Sequence, residues 1–198
     1  MIIALIGSER VGKDTFADIL VNEYGFKKHS MADPIRDIAQ IIFPNWFSNS
    51  GDSKTEFAID KDIVEPSTGI CPRDFMKWLG TDIFQLEFHK RFPDINIPER
   101  CIWSTICVNK IINSAPYENW IIPDVRFKHE AAGLAQLGCI FINLVPSNTH
   151  LSTPSNQSSY DIPYILETYQ HNKIVNDKSA GILKLREQIA KLMSDFEF

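Results

Sequence analysis

No stretch of this sequence approaches the roughly 20 consecutive apolar residues that a membrane-spanning helix requires, so none is expected. Cysteine is scarce, with Cys71, Cys101, Cys107 and Cys139 only. None forms a C-x-x-C pair and no His-rich cluster accompanies them, so neither structural zinc nor a disulfide framework is expected. Buried reduced thiols fit a cytoplasmic protein, or the host cytoplasm if the chain is viral. The opening Met1-Ile2-Ile3-Ala4-Leu5-Ile6-Gly7 lacks the basic start and apolar length of a signal peptide. The glycosylation match Asn156-Gln157-Ser158 therefore carries no weight. Positive charge is not in excess either. Twenty Lys and Arg face 25 Asp and Glu, for a net charge of −5. A nucleic-acid polymer or an acidic membrane surface is thus not an expected partner. A local anion site stays open, because a few backbone amides and one or two basic side chains suffice for it.

What is present suits a single globular domain. The 198 residues are enough to bury a core, and 44% hydrophobic with 23% charged residues is ordinary globular composition. Ile2–Ile6, Trp120–Pro123 and Cys139–Val145 are apolar runs without alternation, the pattern of strands buried on both faces. Weaker strands are expected at Phe26–Ser30 and His171–Val175. Helical spacing predicts helices over Lys13–Glu23, from Asp33-Pro34 onward, over Glu99–Ser114, Lys128–Leu137 and Gly181–Phe196. Another is expected over Arg73–Arg91, interrupted at Gly80-Thr81-Asp82. Strands alternating with helices predict an α/β fold with a central parallel sheet of about five strands covered on both faces. Residues 44–118 read as a helical and loop insertion, irregular from Pro44 to Pro72. Residues 146–159 form a polar, Ser-rich loop and a candidate lid.

Gly7-Ser8-Glu9-Arg10-Val11-Gly12-Lys13 fits G-x-x-x-x-G-K, the P-loop pattern, between an expected strand and an expected helix. Glycines let the backbone curl so that several N–H groups face one anion. The following helix adds partial positive charge, and Lys13 adds a full one. Gly7, Arg10, Val11, Gly12 and Lys13 are therefore candidate triphosphate-binding residues. The next position usually carries a hydroxyl for Mg²⁺, but Asp14 stands there and Thr15 follows. Asp14 is a candidate metal contact or base, or else caps the helix. GTP-reading motifs are incomplete: Asn172-Lys173-Ile174-Val175 lacks the final Asp, and Asp124-Val125-Arg126-Phe127 lacks the Gly. A GTPase is disfavoured.

Asp124 closes a buried strand, where open α/β sheets hold their ligands, and is a candidate metal-orienting acid. Arg126 could grip a phosphate, or pair with Glu130. Phosphoryl transfer needs converging positive charge, which makes Arg36 and Arg73 further candidates. Trp78 could stack on a base, with core packing as its plainer role.

These residues together resemble the deoxynucleoside monophosphate kinases of the tailed-phage type. The resemblance rests on G-x(4)-G-K-D-T at Gly7–Thr15, Ala32-Asp33-Pro34-Ile35-Arg36, Leu79-Gly80-Thr81-Asp82, Asp124-Val125-Arg126-Phe127 with Glu130, and Ile174-Val175-Asn176-Asp177. The segments occur in order over nearly the whole chain. The resemblance implies a P-loop kinase fold and transfer of the ATP γ-phosphate to a deoxynucleoside 5′-monophosphate, with Mg²⁺ and with a homodimer as a candidate assembly. It implies ATP on Lys13 and the loop amides, and metal organised by Thr15, Asp14 or Asp124. It further implies acceptor phosphate on Arg36, Arg73 and Arg126. A kinase for another small metabolite such as dephospho-coenzyme A, and a non-catalytic ATP-binding module, are the alternatives.

Overall fold

The computed structural model describes residues 1–48, 57–147 and 161–196. Most of the lid candidate (148–159), the sequon and residues 49–56 of the polar stretch lie outside them. In chain order the elements are β1 (Ile2–Ile6), α1 (Lys13–Tyr24), β2 (Lys27–Lys28), α2 (Asp33–Ile42), α3 (Pro72–Lys77), α4 (Phe88–Arg91), α5 (Ile102–Ile112), β3 (Trp120–Ile122), α6 (Lys128–Ala135), β4 (Ile140–Pro146), α7 (Ile162–Thr168), β5 (His171–Asn176) and α8 (Gly181–Asp195). Short 3-10 turns occupy Pro44–Trp46 and Lys178–Ala180. A π-helical stretch, Trp78–Glu87, joins α3 to α4. Two compact units divide the chain: Met1–Ser30 with Cys107–Phe198, and Met31–Ile106.

The first unit is built on the sheet. Among the described residues its five strands run in the order β2-β3-β1-β4-β5, and every pairing is parallel. β1 lies at the centre, with Ile3 opposite both Ile121 and Ile140. Successive side chains alternate between the faces of a strand. Ile3 and Leu5 face the core shared with Phe16 and Leu20 of α1 and with Leu185, Ile189 and Met193 of α8. Ala4 and Ile6 point the other way and are equally inaccessible, so both faces of the sheet are covered. This is the α/β fold that the apolar runs predict. Gly25 and Gly138 end their helical segments in the left-handed conformation, at φ 70° each.

The weaker strand shrinks to Lys27–Lys28, both exposed, because Phe26 turns into the core instead. The helix expected from Glu99 begins at Ile102, after Arg100 takes a left-handed φ of 65°. α7 lies outside the helices expected from the sequence; it carries Ile162, Ile165 and Leu166 on one face and buries Ile165, but is only seven residues long.

The second unit has its own small core. Trp46, Phe47 and Ala39 are buried with Phe43, Phe57, Ile59, Ile70, Phe75 and Met76 packed on them. Phe43 stacks on Trp46 at 4.1 Å, and Phe75 meets Trp46 edge-on at 5.8 Å. The polar stretch thus conceals aromatic anchors with no helical or strand spacing. The interruption expected at Gly80–Asp82 is instead a change of winding. A Cβ on Gly80 would lie 2.6 Å from Ile35 Cδ1, and the Gly80 carbonyl accepts the Trp103 indole N–H at 2.8 Å. A π turn redirects carbonyls from the regular ladder, and this one meets an indole donor. Among the described residues no helix is long and apolar enough to cross a membrane.

Leu20 is fully buried between α1 and the sheet. Leu20→Ala should destabilise the protein by about 3 kcal/mol, read as a lower denaturation midpoint.

Candidate active site

β1 ends at the point where the chain's sheet order reverses: β3 and β2 lie on one side of it, β4 and β5 on the other. Open parallel sheets leave a crevice there, at the carboxyl ends of the strands. Gly7 enters it. A Cβ at Gly7 would lie 2.4 Å from the Leu144 carbonyl oxygen of β4, so only glycine passes. Arg10 takes a left-handed φ of 61° and Gly12 a φ of 102°. Such alternation of backbone hand turns successive N–H groups toward one concave face. Gly12 is the N-cap of α1, and no side chain caps that helix. Helix-start amides of this kind can bind an anion. Asp14, the alternative cap, is exposed in the first turn, with Lys28 Nζ at 3.6 Å from Oδ1. Thr15 is exposed beside it.

Lys13 is buried at 8% exposure, and its ammonium folds back over the loop. Nζ donates to the carbonyls of Gly7 and Ser8 at 2.8 Å each and lies 3.3 Å from Asp124 Oδ1. A buried ammonium is costly unless every donor is met. Here two loop carbonyls accept hydrogen bonds from it and Asp124 supplies an opposite charge, and together they keep the ammonium in the crevice. Asp124 arrives because β3 pairing continues past the strand, with Val125 N–H donating to Leu5 O at 3.0 Å. Asp124 Oδ2 accepts from Arg126 Nη2 at 2.6 Å. Burial works against the Arg126 charge, but the bond to Asp124, with Glu130 and Glu9 close by, holds its pKa above the ordinary arginine value. Lys13, Asp124 and Arg126 are therefore one chain of alternating charges, at the place the motif predicts.

Glu130 has a different role from the pairing first considered. It does not hold the Arg126 guanidinium; its Oε2 accepts the backbone N–H groups of Arg126 at 2.8 Å and Phe127 at 3.1 Å. That fixes the turn from which Arg126 projects and satisfies the start of α6. Burial raises the Glu130 carboxyl to about 7, only partly offset by those two N–H bonds. Asn176, at the end of β5, also has a role that the sequence pattern did not assign. Its Nδ2 donates to Val11 O at 2.9 Å. Lys28 is the third such residue, bonded to Asp18 at 2.9 Å beside Asp14. Asn176 and Lys28 each end a strand, where a polar side chain reaches the carboxyl edge of the sheet.

Mg²⁺ prefers hard oxygen donors and is usually held by one or two carboxylates plus substrate phosphates. Among the described residues no group of three or more His, Cys, Asp and Glu side chains could hold a metal. Asp124 Oδ1, by contrast, is buried with no hydrogen-bond partner. Its contact with Lys13 is ionic, not an aligned hydrogen bond, so one oxygen remains able to take a metal or a metal-bound water. The residues present fit such an ion.

Arg36, Arg73 and Trp78 belong to the second unit. Arg36 Nη1 bonds Asp33 Oδ1 at 2.9 Å. Arg73 forms a two-pronged pair with Asp62, through Nε and through Nη2 at 3.1 Å, which lowers the Asp62 carboxyl from its ordinary value. Trp78 is 49% exposed and lies 5.8 Å from the Phe75 ring. It is not a core residue, contrary to its plainer expected role.

A carboxyl raised in the folded state binds its proton more tightly there than in the unfolded chain. The Glu130 contribution therefore favours folding at low pH and is lost as pH rises from about 4.5 through about 7. The loss should approach 3 kcal/mol at most. Unfolding curves between pH 5 and 8 should show this slope, and Glu130→Gln should flatten it.

With the geometry in view, comparisons with known proteins bear on the same residues. The family model described as deoxynucleotide monophosphate kinase matches residues 1–57, which carry the loop, Lys13 and Arg36. A curated protein of Acanthamoeba polyphaga mimivirus, named "Putative deoxynucleotide monophosphate kinase", is 22% identical over 97% of this chain and 99% of its own. Among solved structures, a dephospho-CoA kinase from Campylobacter jejuni aligns over 98% of this chain and 96% of its own, at 17% identity and a TM-score of 0.47. A sugar kinase from Janibacter sp. HTCC2649 aligns over 98% and 94%, at 13% identity and the same TM-score. In sequence, this chain is similar to nucleotide kinases, through its loop-bearing end and over nearly its full length.

Proposed function

We propose that this chain is an ATP- and Mg²⁺-dependent kinase that converts a deoxynucleoside 5′-monophosphate to its diphosphate. The observation that carries the reading is the buried Lys13 ammonium, held between the loop carbonyls and the Asp124–Arg126 pair. The family match over residues 1–57 and the mimivirus relative support the choice of a nucleotide.

In this reading the α1 amides and Lys13 hold the β- and γ-phosphates of ATP. A bound Mg²⁺ would neutralise phosphate charge and align the transferring group; Asp124, Asp14 and Thr15 are its proposed holders. An acceptor phosphate is largely a dianion near neutral pH, with a second pKa of about 6. It needs no base to become a nucleophile. Its oxygen attacks the γ-phosphorus as the bond to the β-bridging oxygen breaks, and ADP leaves. What the protein must supply is positioning and positive charge along that line. Arg126 is proposed to grip the acceptor phosphate, exchanging part of its bond to Asp124 for it. Arg36 and Arg73 are proposed acceptor contacts that would exchange Asp33 and Asp62 in the same way. Trp78, half exposed, is proposed to stack on the acceptor base.

The deciding assay is ADP formation from Mg·ATP against the four common deoxynucleoside monophosphates, their ribose counterparts, modified pyrimidine forms and dephospho-coenzyme A. Turnover confined to deoxy forms is expected; turnover of dephospho-coenzyme A alone would replace this reading. Lys13→Ala should lower turnover by at least about a hundredfold, and unchanged turnover would rule out the loop as the phosphate site. Arg126→Ala should raise the acceptor KM by about tenfold or more and the ATP KM far less. Equal losses for both substrates would contradict its role.

A further inference from the structure

Asn176 stands at the end of β5, two strands away from β1 with β4 between them. It is 9% exposed, and its side chain crosses that gap to the phosphate loop, 165 positions earlier in sequence. The contact is a single bond, from Nδ2 to the Val11 carbonyl at 2.9 Å. The backbone of Asn176 is itself fixed. Its strand is in register with β4 up to Pro146, and its carbonyl accepts Ser147 N–H at 3.2 Å. The donor therefore comes from a rigid support.

The Val11–Gly12 peptide is planar and trans, so its C=O and its N–H point in opposite directions. Holding the Val11 oxygen toward Asn176 turns the Gly12 N–H away from it. Gly12 answers the same contact sterically. Its φ of 102° disfavours any side chain, and a Cβ there would lie 2.5 Å from Asn176 Nδ2. The second glycine of the motif and the asparagine of the last strand thus fit each other. A carboxylate in the same place would set oxygen against oxygen and bring negative charge toward the phosphates.

We infer that Asn176 is a positioning residue for the phosphate loop, holding the Val11 carbonyl so that the Gly12 N–H faces the bound anion. The inference rests on the kinase reading above, and it assigns to β5 a part in triphosphate affinity.

The test is titration of Mg·ATP into wild type, Asn176→Ala, Asn176→Asp and Asn176→Ser by calorimetry, following the Gly12 amide resonance by NMR. Melting temperatures and the acceptor KM are measured alongside. Asn176→Ala should weaken Mg·ATP by about tenfold, the loss expected when one hydrogen bond to a charged group is misaimed. Asn176→Asp should weaken it further, and Asn176→Ser, which keeps a donor, should fall between wild type and alanine. The Gly12 resonance shift on ATP addition should shrink in the same order, with the acceptor KM nearly constant. A folded alanine variant with wild-type ATP affinity would overturn the role of Asn176 and leave the kinase reading intact. Equal weakening of ATP and acceptor would also overturn it, since that is what general destabilisation does. If the alanine variant does not fold, the serine and aspartate variants decide by the same ranking. A wild-type protein that fails to bind Mg·ATP would overturn the kinase reading and this role together.

Discussion

A buried ammonium organises this molecule. Lys13 can sit at 8% exposure only if its charge is compensated, here by two hydrogen bonds and one ion pair. That compensation fixes the path of Gly7 and Ser8 and the reach of Asp124. Gly7 must lie against Leu144 without a side chain, and β3 must continue to Val125 to deliver the acid. Glu130 then sets the turn that carries Arg126. The strand order, the two glycines and the acid at the strand end are parts of one arrangement. Its result is positive charge held near the start of α1 by the loop carbonyls and the Asp124 carboxylate.

The elements that support this site were legible in the sequence because their physics is local. Ile2–Ile6 and Trp120–Ile122 are buried on both sides, so their residues are apolar without alternation. Gly25 closes α1, and Gly138 closes the turn after α6, in a conformation other residues resist. The Gly7–Lys13 spacing is a backbone requirement and Asp124 follows a buried strand, so Lys13, Asp124 and Arg126 stood out as candidates, and the structure brings the three together.

What was not legible depends on distant partners. Glu130 and Asn176 act on backbone groups through buried side chains, and no spacing announces such a bond. Trp46 and Phe47 form a core from a stretch that lacks periodicity, since turns and isolated bridges place them. Within Trp78–Glu87, Gly80 packs against Ile35 and bonds Trp103, partners that a reading of the segment alone does not include. Burial of Trp78 was expected from its residue type, and the helix turns it half outward instead.

The two borders of the sheet have a colloidal consequence. A strand with unpaired amides and carbonyls invites another molecule to add itself, and long flat borders seed fibrils. One border here is only Lys27–Lys28, too short to template a partner and charged at both positions. The other, β5, is six residues long, and there Gln188 of α8 occupies the Val175 carbonyl at 3.1 Å. Among the described residues, one edge is guarded by brevity and charge and the other by a helix side chain. Crowded folding intermediates that have formed these borders would be poor nuclei for cross-strand stacking.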